Sequence, residues 1–354
     1  MSRTSKVRLA DIATAAGVSL GTASNVFAHP ERVRPELRER VETVARRLGY
    51  HGPDPKGRLL RDGRFNALGL LPPADLSIAD AIRNPVFRTF VAGVAETCDA
   101  AGANLVLISD REHGRGVTSA LVDGVVLSRV EHLDQVEPAR RRRVPVAVVD
   151  FDPGPDFSSA RSDARAGAEA AAQHLLDLGH RRFAILSFLR SFGGPVFHPP
   201  RRGRPASAAG MPVDQEKLQG YAAALARAGI DIDSVPMVQG EPWDLTAAGM
   251  LFDVAPEATA ILSMSVMQGL SLLAEARRRG IRVPDHVSVV AYNDLPEAAL
   301  SDPPLTTVDG MNLEKGRVAA RLVLEGGPPR HEVLPARLIL RGSTGPAPGS
   351  GRAG

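Results

Sequence analysis

The apolar positions change their period once along this chain, and the change divides it. Between residues 7 and 50 they recur at helical spacing. Leu9, Ile12 and Ala13 make one stripe, and Leu37, Val41, Val44 and Leu48 make another at i, i+4, i+7 and i+11. Gly17 suits the left-handed turn that ends a helix, and Ser19 suits the N-cap of a second helix running to about Phe27. Pro35 and Gly49 bracket a third. Two short helices joined by a glycine turn predict a helix-turn-helix, whose second helix can enter a DNA major groove.

From residue 65 the pattern alternates buried strands with amphipathic helices. One set of strands is expected at 67–71, 104–108, 124–127 and 146–149, with helices at 85–101 and 133–141. A second set follows at 182–186, 236–239, 260–262 and 288–291, with helices at 164–178, 215–228, 245–252 and 266–279. The fold class is α/β: a three-helix amino-terminal domain followed by two doubly wound parallel α/β subdomains. Ligands of such sheets bind outside the carboxyl ends of the strands, so the cleft between the subdomains is the expected site.

Composition adds exclusions. With 354 residues, 44% of them hydrophobic, the chain is no disordered polymer. No run reaches the ~18–20 apolar residues of a membrane span, and the start, MSRTSKVRLADIA, has no signal-peptide core, so a cytoplasmic protein without a membrane partner is expected. The lone Cys98 lies among small and apolar residues and reads as a buried, inert thiol. The net charge of +3 is unevenly spread: residues 1–64 hold thirteen Lys and Arg against seven Asp and Glu, a local +6, which leaves −3 for the rest. A basic head on a larger acidic body fits nucleic-acid binding.

Three familiar enzyme motifs are missing: the chain has no GxxxxGK[ST], HExxH or CxxC, and GRGVTS at 114–119 lacks the third glycine of a dinucleotide fingerprint. The nine histidines are scattered, and His174 and His180 fall on different helical faces. No catalytic residue, metal or cofactor is therefore expected. An α/β enzyme or a cytoplasmic sugar-binding protein without a regulatory role is the alternative.

The run VRLADIATAAGVSLGTASNVFAHPERVRPELRERVETVARRLGY, residues 7–50, resembles the DNA-binding domain of the LacI/GalR family of bacterial transcription regulators. The resemblance implies that Leu20, Gly21 and Asn25 face base edges, where Leu20 can meet only apolar groups such as a thymine methyl and Asn25 can pair with adenine. Ser19, Thr22 and Ser24 suit phosphate oxygens, although capping and solvation suit them equally. Residues 51–64 are similar to the family's hinge, a segment that becomes helical on operator DNA. In that register Leu60 is the minor-groove wedge, with Leu59 as the competing choice, and Lys56, Arg58, Arg61 and Arg64 attract phosphates.

Residues 65–345 resemble the family's effector-binding and dimerisation domain, itself similar to periplasmic sugar-binding proteins. The markers are VDGVVLS, VPVAVVDFD, HLLDLGHRRFAIL, GIRVPDHVSVVAYNDLPEA, PPLTTV and LPARLILRGST in that order. The resemblance implies three crossings between subdomains, near Ser162, Asn293 and Arg321. One subdomain would then hold about 65–161 and 293–320, and the other about 162–292 and 321–345, with 346–354 as a tail.

The implied effector contacts are Asp163, Lys217, Trp243, Ser265, Asn293 and Asp294. Asp163 serves equally as an N-cap, Trp243 as a packing residue and Lys217 as a surface charge. Val266 stands where many members carry an acid that binds ligand hydroxyls, and a valine cannot accept a hydrogen bond. The connection at 109–123 is short enough to reduce one helix to about a turn. Residues 189–214 form a long Pro, Gly and Arg-rich loop, read either as a flap over the cleft, with Arg201, Arg202 and Arg204 available for an anionic effector, or as a solvated loop. The expected function is a homodimeric, sequence-specific repressor of a palindromic operator in double-stranded DNA, controlled by a carbohydrate-like effector.

Overall fold

The computed structural model describes residues 7–52, 63–73, 76–109, 115–128, 130, 133–188, 194–200, 212–242 and 245–349. Two compact units, Met1–Phe65 and Asn66–Gly354, are distinct.

The first unit holds α1 (Leu9–Ala16), α2 (Leu20–Ala28) and α3 (Pro35–Arg47). Ile12, Ala16, Val26, Val41, Val44 and Ala45 close its core. Phe27 and Tyr50 seal the edge, their rings edge-on at 5.4 Å. Gly17 ends α1 at φ 62°, a conformation that L side chains rarely adopt, and the turn closes with Val18 N–H on Ala13 O at 3.0 Å. Leu48, expected in the apolar stripe, is instead 37% exposed, at the C-cap position just past the end of α3.

The second unit runs in chain order through β1 (Ala67–Leu71), α4 (Ile78–Arg83), α5 (Pro85–Ala101), β2 (Asn104–Leu107), α6 (Arg115–Ser119), β3 (Gly124–Ser128), α7 (Glu137–Arg142), β4 (Val146–Val149) and β5 (Ser158–Ser162). It continues with α8 (Ala164–Asp177), β6 (Phe183–Phe188), β7 (Val196–His198), α9 (Pro212–Arg227), β8 (Met237–Gly240), α10 (Leu245–Val254), β9 (Ala260–Ser263), α11 (Val266–Arg278) and β10 (Ser288–Tyr292). The last elements are α12 (Pro296–Leu300), β11 (Thr306–Asp309), α13 (Asn312–Glu325), β12 (His331–Leu334) and β13 (Arg337–Ile339).

These strands make two sheets, and each sheet is the floor of a lobe. The first has the order β12-β5-β4-β3-β1-β2 and is parallel throughout. The second has the order β13-β11-β10-β9-β6-β8-β7, with antiparallel edge strands β13 and β7 on a parallel centre. Central strands β1, β3, β4, β8, β9 and β10 are buried along their whole length, as strands covered by helices on both faces must be. In the first lobe α13 lies so close to α5 that a Cβ on Gly93 would stand 2.0 Å from the Leu313 carbonyl oxygen. Cys98 is buried in that core, and burial raises its thiol pKa.

The lobe boundaries differ from those expected. The chain does cross after Ser162, but it does not return at Asn293. Thr306–Asp309 pairs with β10 in the second sheet, and Ala298 on α12 packs into the second lobe's core, so the return falls at Gly310–Met311. Likewise α13 and β12 belong to the first lobe, and the last crossing follows Leu334 rather than Arg321. Hydrogen-bond pairing between distant strands decides these points, and local pattern does not contain it.

Of the long loop at 189–214, residues 196–198 form the edge strand β7 on β8, with His198 Nε2 2.6 Å from Gln239 Oε1. This stretch is docked on a sheet edge; Arg201, Arg202 and Arg204 lie outside the described residues. The short connection at 109–123 holds the five-residue α6.

Candidate functional site

Two surfaces carry the chemistry. On the first unit, Ser19 Oγ accepts the Thr22 N–H at 3.0 Å and lies 2.8 Å from Thr22 Oγ1, which fixes the start of α2. Ala23 and Val26 are buried. Leu20, Gly21 and Asn25 are consequently exposed on the other face, and Thr22 and Ser24 are half-buried at its margin. Leu20, an apolar side chain at the first turn of α2, is 55% exposed and so lies on the surface and outside the core. The hinge residues Lys56, Arg58, Leu60 and Arg61 lie outside the described residues.

The second surface is the cleft between the two lobes. Asp150 and Lys315 line it from the first lobe, and Asp214, Lys217, Ser265, Tyr292 and Asn293 from the second, with Asn312 just past a crossing. Asp150 follows β4 at a left-handed φ of 56°. Lys315 Nζ donates to both its carboxylate oxygens, at 2.8 and 2.6 Å. One helical turn before Lys315, Asn312 Nδ2 donates to Asn293 Oδ1 at 2.8 Å. In the second lobe Lys217 Nζ donates to Asp214 Oδ1 at 3.0 Å and to the Met264 carbonyl at 3.2 Å, and lies 4.6 Å from the centroid of the Tyr292 ring. Burial holds the Tyr292 phenol well above its usual pKa, so the ring stays neutral beneath the ammonium. Ser265 occupies the N-cap position of α11, yet its side chain caps nothing.

Arg161 on β5 joins the two lobes electrostatically, its Nη1 4.0 Å from Glu216 Oε1 on α9. Burial raises the Glu216 pKa, and Arg161 partly offsets that rise. Among the described residues no group of three or more His, Cys, Asp or Glu could hold a metal ion. The cleft supplies paired charges, amides and hydroxyls: it is suited to recognising a polar molecule.

Of the expected effector contacts, Lys217, Ser265 and Asn293 are brought together in this cleft. Two others have partners within the protein. Asp163 is exposed and caps α8, accepting the Ala166 N–H at 2.9 Å. Asp294 is held by Arg341 at 2.8 and 3.0 Å. Trp243 lies outside the described residues. Val266 is fully buried in the second lobe's core and offers the cleft nothing. Sequence reasoning missed Asp150, Asp214, Asn312 and Lys315. Asp214 and Lys217 carried a signal, an acid and a base three apart on one helix; Asp150 and Lys315 are 165 residues apart and carried none.

Residues 8–53 match the bacterial regulatory proteins of the lacI family, and residues 172–344 match the periplasmic binding protein-like domain. An HTH-type transcriptional regulator of Mycolicibacterium smegmatis is 32% identical over 365 residues, covering 96% of this chain and 97% of its own. The HTH-type transcriptional regulator Rv3575c of Mycobacterium tuberculosis is 34% identical over 358 residues, with 96% and 98% covered. The chain belongs to the lacI family of bacterial transcription regulators.

Solved structures agree with this placing. The lacI-family architecture of the cellobiose complex of the regulator CelR superposes with a TM-score of 0.66 at 28% identity, over 96% of this chain and 100% of that one. The lac repressor dimer bound to operator and an anti-inducer, at 23% identity, shares the fold with a TM-score of 0.75 over 96% and 99%. Among the described residues no helix is long and apolar enough to cross a membrane.

Proposed function

We propose that this regulator is a cytoplasmic repressor that binds a near-palindromic operator as a homodimer, and that a carbohydrate-like effector in the cleft tunes its affinity. It performs no catalysis of its own. The observation that carries the reading is the Ser19-capped α2, which leaves Leu20, Gly21 and Asn25 exposed together, in one chain with a polar cleft between two sheets. Asn25 supplies paired hydrogen bonds to an adenine, and Leu20 an apolar contact to a thymine methyl. Ser19, Thr22 and Ser24 meet phosphates, and Lys56, Arg58 and Arg61 add charge around a Leu60 wedge.

An effector that prefers one arrangement of the two lobes shifts the population of DNA-competent dimers by its difference in affinity for the two arrangements. Lys217, Ser265 and Asn293 contribute to its site.

Genome-wide footprinting of the purified protein, with and without sugars and nucleosides, tests the reading. Protection of palindromic sites that a panel member alters is the expected result. Uniform binding with a steep salt dependence and no preferred sequence would replace the repressor with a nonspecific DNA-binding protein. Leu60→Ala is expected to weaken operator binding while the effector domain keeps its melting temperature; operator binding equal to the parent protein's removes the wedge.

A further inference from the structure

We propose that Asp214 is the hydrogen-bond acceptor that selects the ligand of the cleft, and that the cleft takes an uncharged, hydroxyl-bearing molecule in preference to a phosphorylated one. The inference rests on the reading of the cleft as an effector site, and it names the chemistry of that effector.

Asp214 is 3% exposed and lines the cleft. Its two carboxylate oxygens have different fates. Oδ1 accepts from Lys217 Nζ at 3.0 Å, whereas Oδ2 is buried and no group among the described residues bonds to it. A buried carboxylate oxygen left without a donor is costly, and one such atom in a binding cleft is matched by a donor that arrives with the ligand. A hydroxyl supplies that donor. A phosphate at neutral pH has little to donate and brings negative charge towards a desolvated carboxylate.

The cations of the cleft do not reverse this preference. Lys217 is held by Asp214 and by the Met264 carbonyl, and Lys315 is held by both oxygens of Asp150. The two lysines and two aspartates cancel, so among the described lining residues an anion meets no surplus positive charge. The side chain of Ser265, at the start of α11, is a further polar contact that suits a hydroxyl.

Calorimetric titration of the full-length protein tests this with matched pairs: D-ribose and ribose 5-phosphate, D-glucose and glucose 6-phosphate, uridine and uridine 5′-monophosphate, with cellobiose as a larger uncharged probe. At least one uncharged probe is expected to bind, with its phosphorylated counterpart at least about tenfold weaker. Asp214→Asn is expected to weaken the uncharged probe by about tenfold to a hundredfold, the range for a hydrogen bond to a charged group. The same variant leaves Lys217 unpaired, so its phosphorylated probe gains affinity. Because an unpaired buried lysine can itself impair folding, the double variant Asp214→Asn with Lys217→Met removes the pair together; it is expected to melt cooperatively and still to have lost the uncharged probe. A phosphorylated probe that binds the parent protein more tightly than its uncharged partner overturns the inference, as does parental affinity in either variant. Failure of every probe in both sets overturns the effector reading of the cleft, and the inference with it.

Discussion

Arg341 grips both carboxylate oxygens of Asp294, Nη1 on Oδ1 at 2.8 Å and Nη2 on Oδ2 at 3.0 Å. The same Nη1 donates to the Leu305 carbonyl at 2.8 Å and lies 2.9 Å from Thr307 Oγ1, which itself donates to Asp294 at 2.6 Å. The segment after β13 is thereby tied to the loop after β10 and to β11, and Asp294 is a structural anchor. Its neighbour Asn293, with a left-handed φ of 72°, is the one that turns to the cleft.

Arg341→Ala is expected to destabilise the second unit by about 2 kcal/mol, less than the loss for a fully buried pair because both side chains keep some solvent contact. Arg341→Lys is expected to recover less than half, since an ammonium cannot serve both oxygens and two further acceptors at once. Urea unfolding monitored by circular dichroism measures both. A midpoint unchanged in Arg341→Ala would show the cluster to be idle.

On α2, Asn25→Ala is expected to relax base preference at one operator position by about 1–3 kcal/mol while leaving affinity for other positions ordered as before. Ser19→Ala removes the cap that Thr22 N–H depends on, and is expected to cost the first unit about 1 kcal/mol and to weaken all operators alike. Binding to a set of single-base operator variants separates the two effects. Equal loss on every operator for Asn25→Ala would assign that residue to the phosphates.

His180 is fully buried, with Nδ1 3.0 Å from Thr259 Oγ1 and Nε2 3.0 Å from both Ser288 Oγ and the Gly345 carbonyl. Burial lowers its pKa below the usual value near 6.5, and burial lowers that of His174 as well. The unfolded chain binds these protons more readily than the folded one, so stability is full above the unfolded pKa and declines as pH falls from about 6.5 towards the folded values. His180→Gln is expected to remove up to about 1.4 kcal/mol per pH unit of that slope. Urea midpoints between pH 7 and pH 5 check it, and a slope identical in the variant would contradict the assignment.

Much of the fold was legible because its signals are local. Buried strands such as Val146–Val149 read as continuous apolar runs, and α5 matched its expected span because Pro85 begins it and Gly102 ends it. The 14-residue α13 went unread: its buried face includes Asn312, Lys315 and Gly316, polar or small residues that interrupt an apolar stripe because they serve the cleft and the contact with α5.

The sequence by itself determined the two-part organisation, the basic amino end and the capped second helix. Each depends on residue types within a few positions of one another, where backbone propensity and periodicity act. The tertiary structure alone decided the lobe boundaries and the composition of the cleft. Parallel pairing joins strands far apart in the chain, and a buried charge is placed by whichever partner the fold brings to it: Asp150 to Lys315, Arg341 to Asp294. One acid, Asp214, keeps a buried carboxylate oxygen with no partner among the described residues.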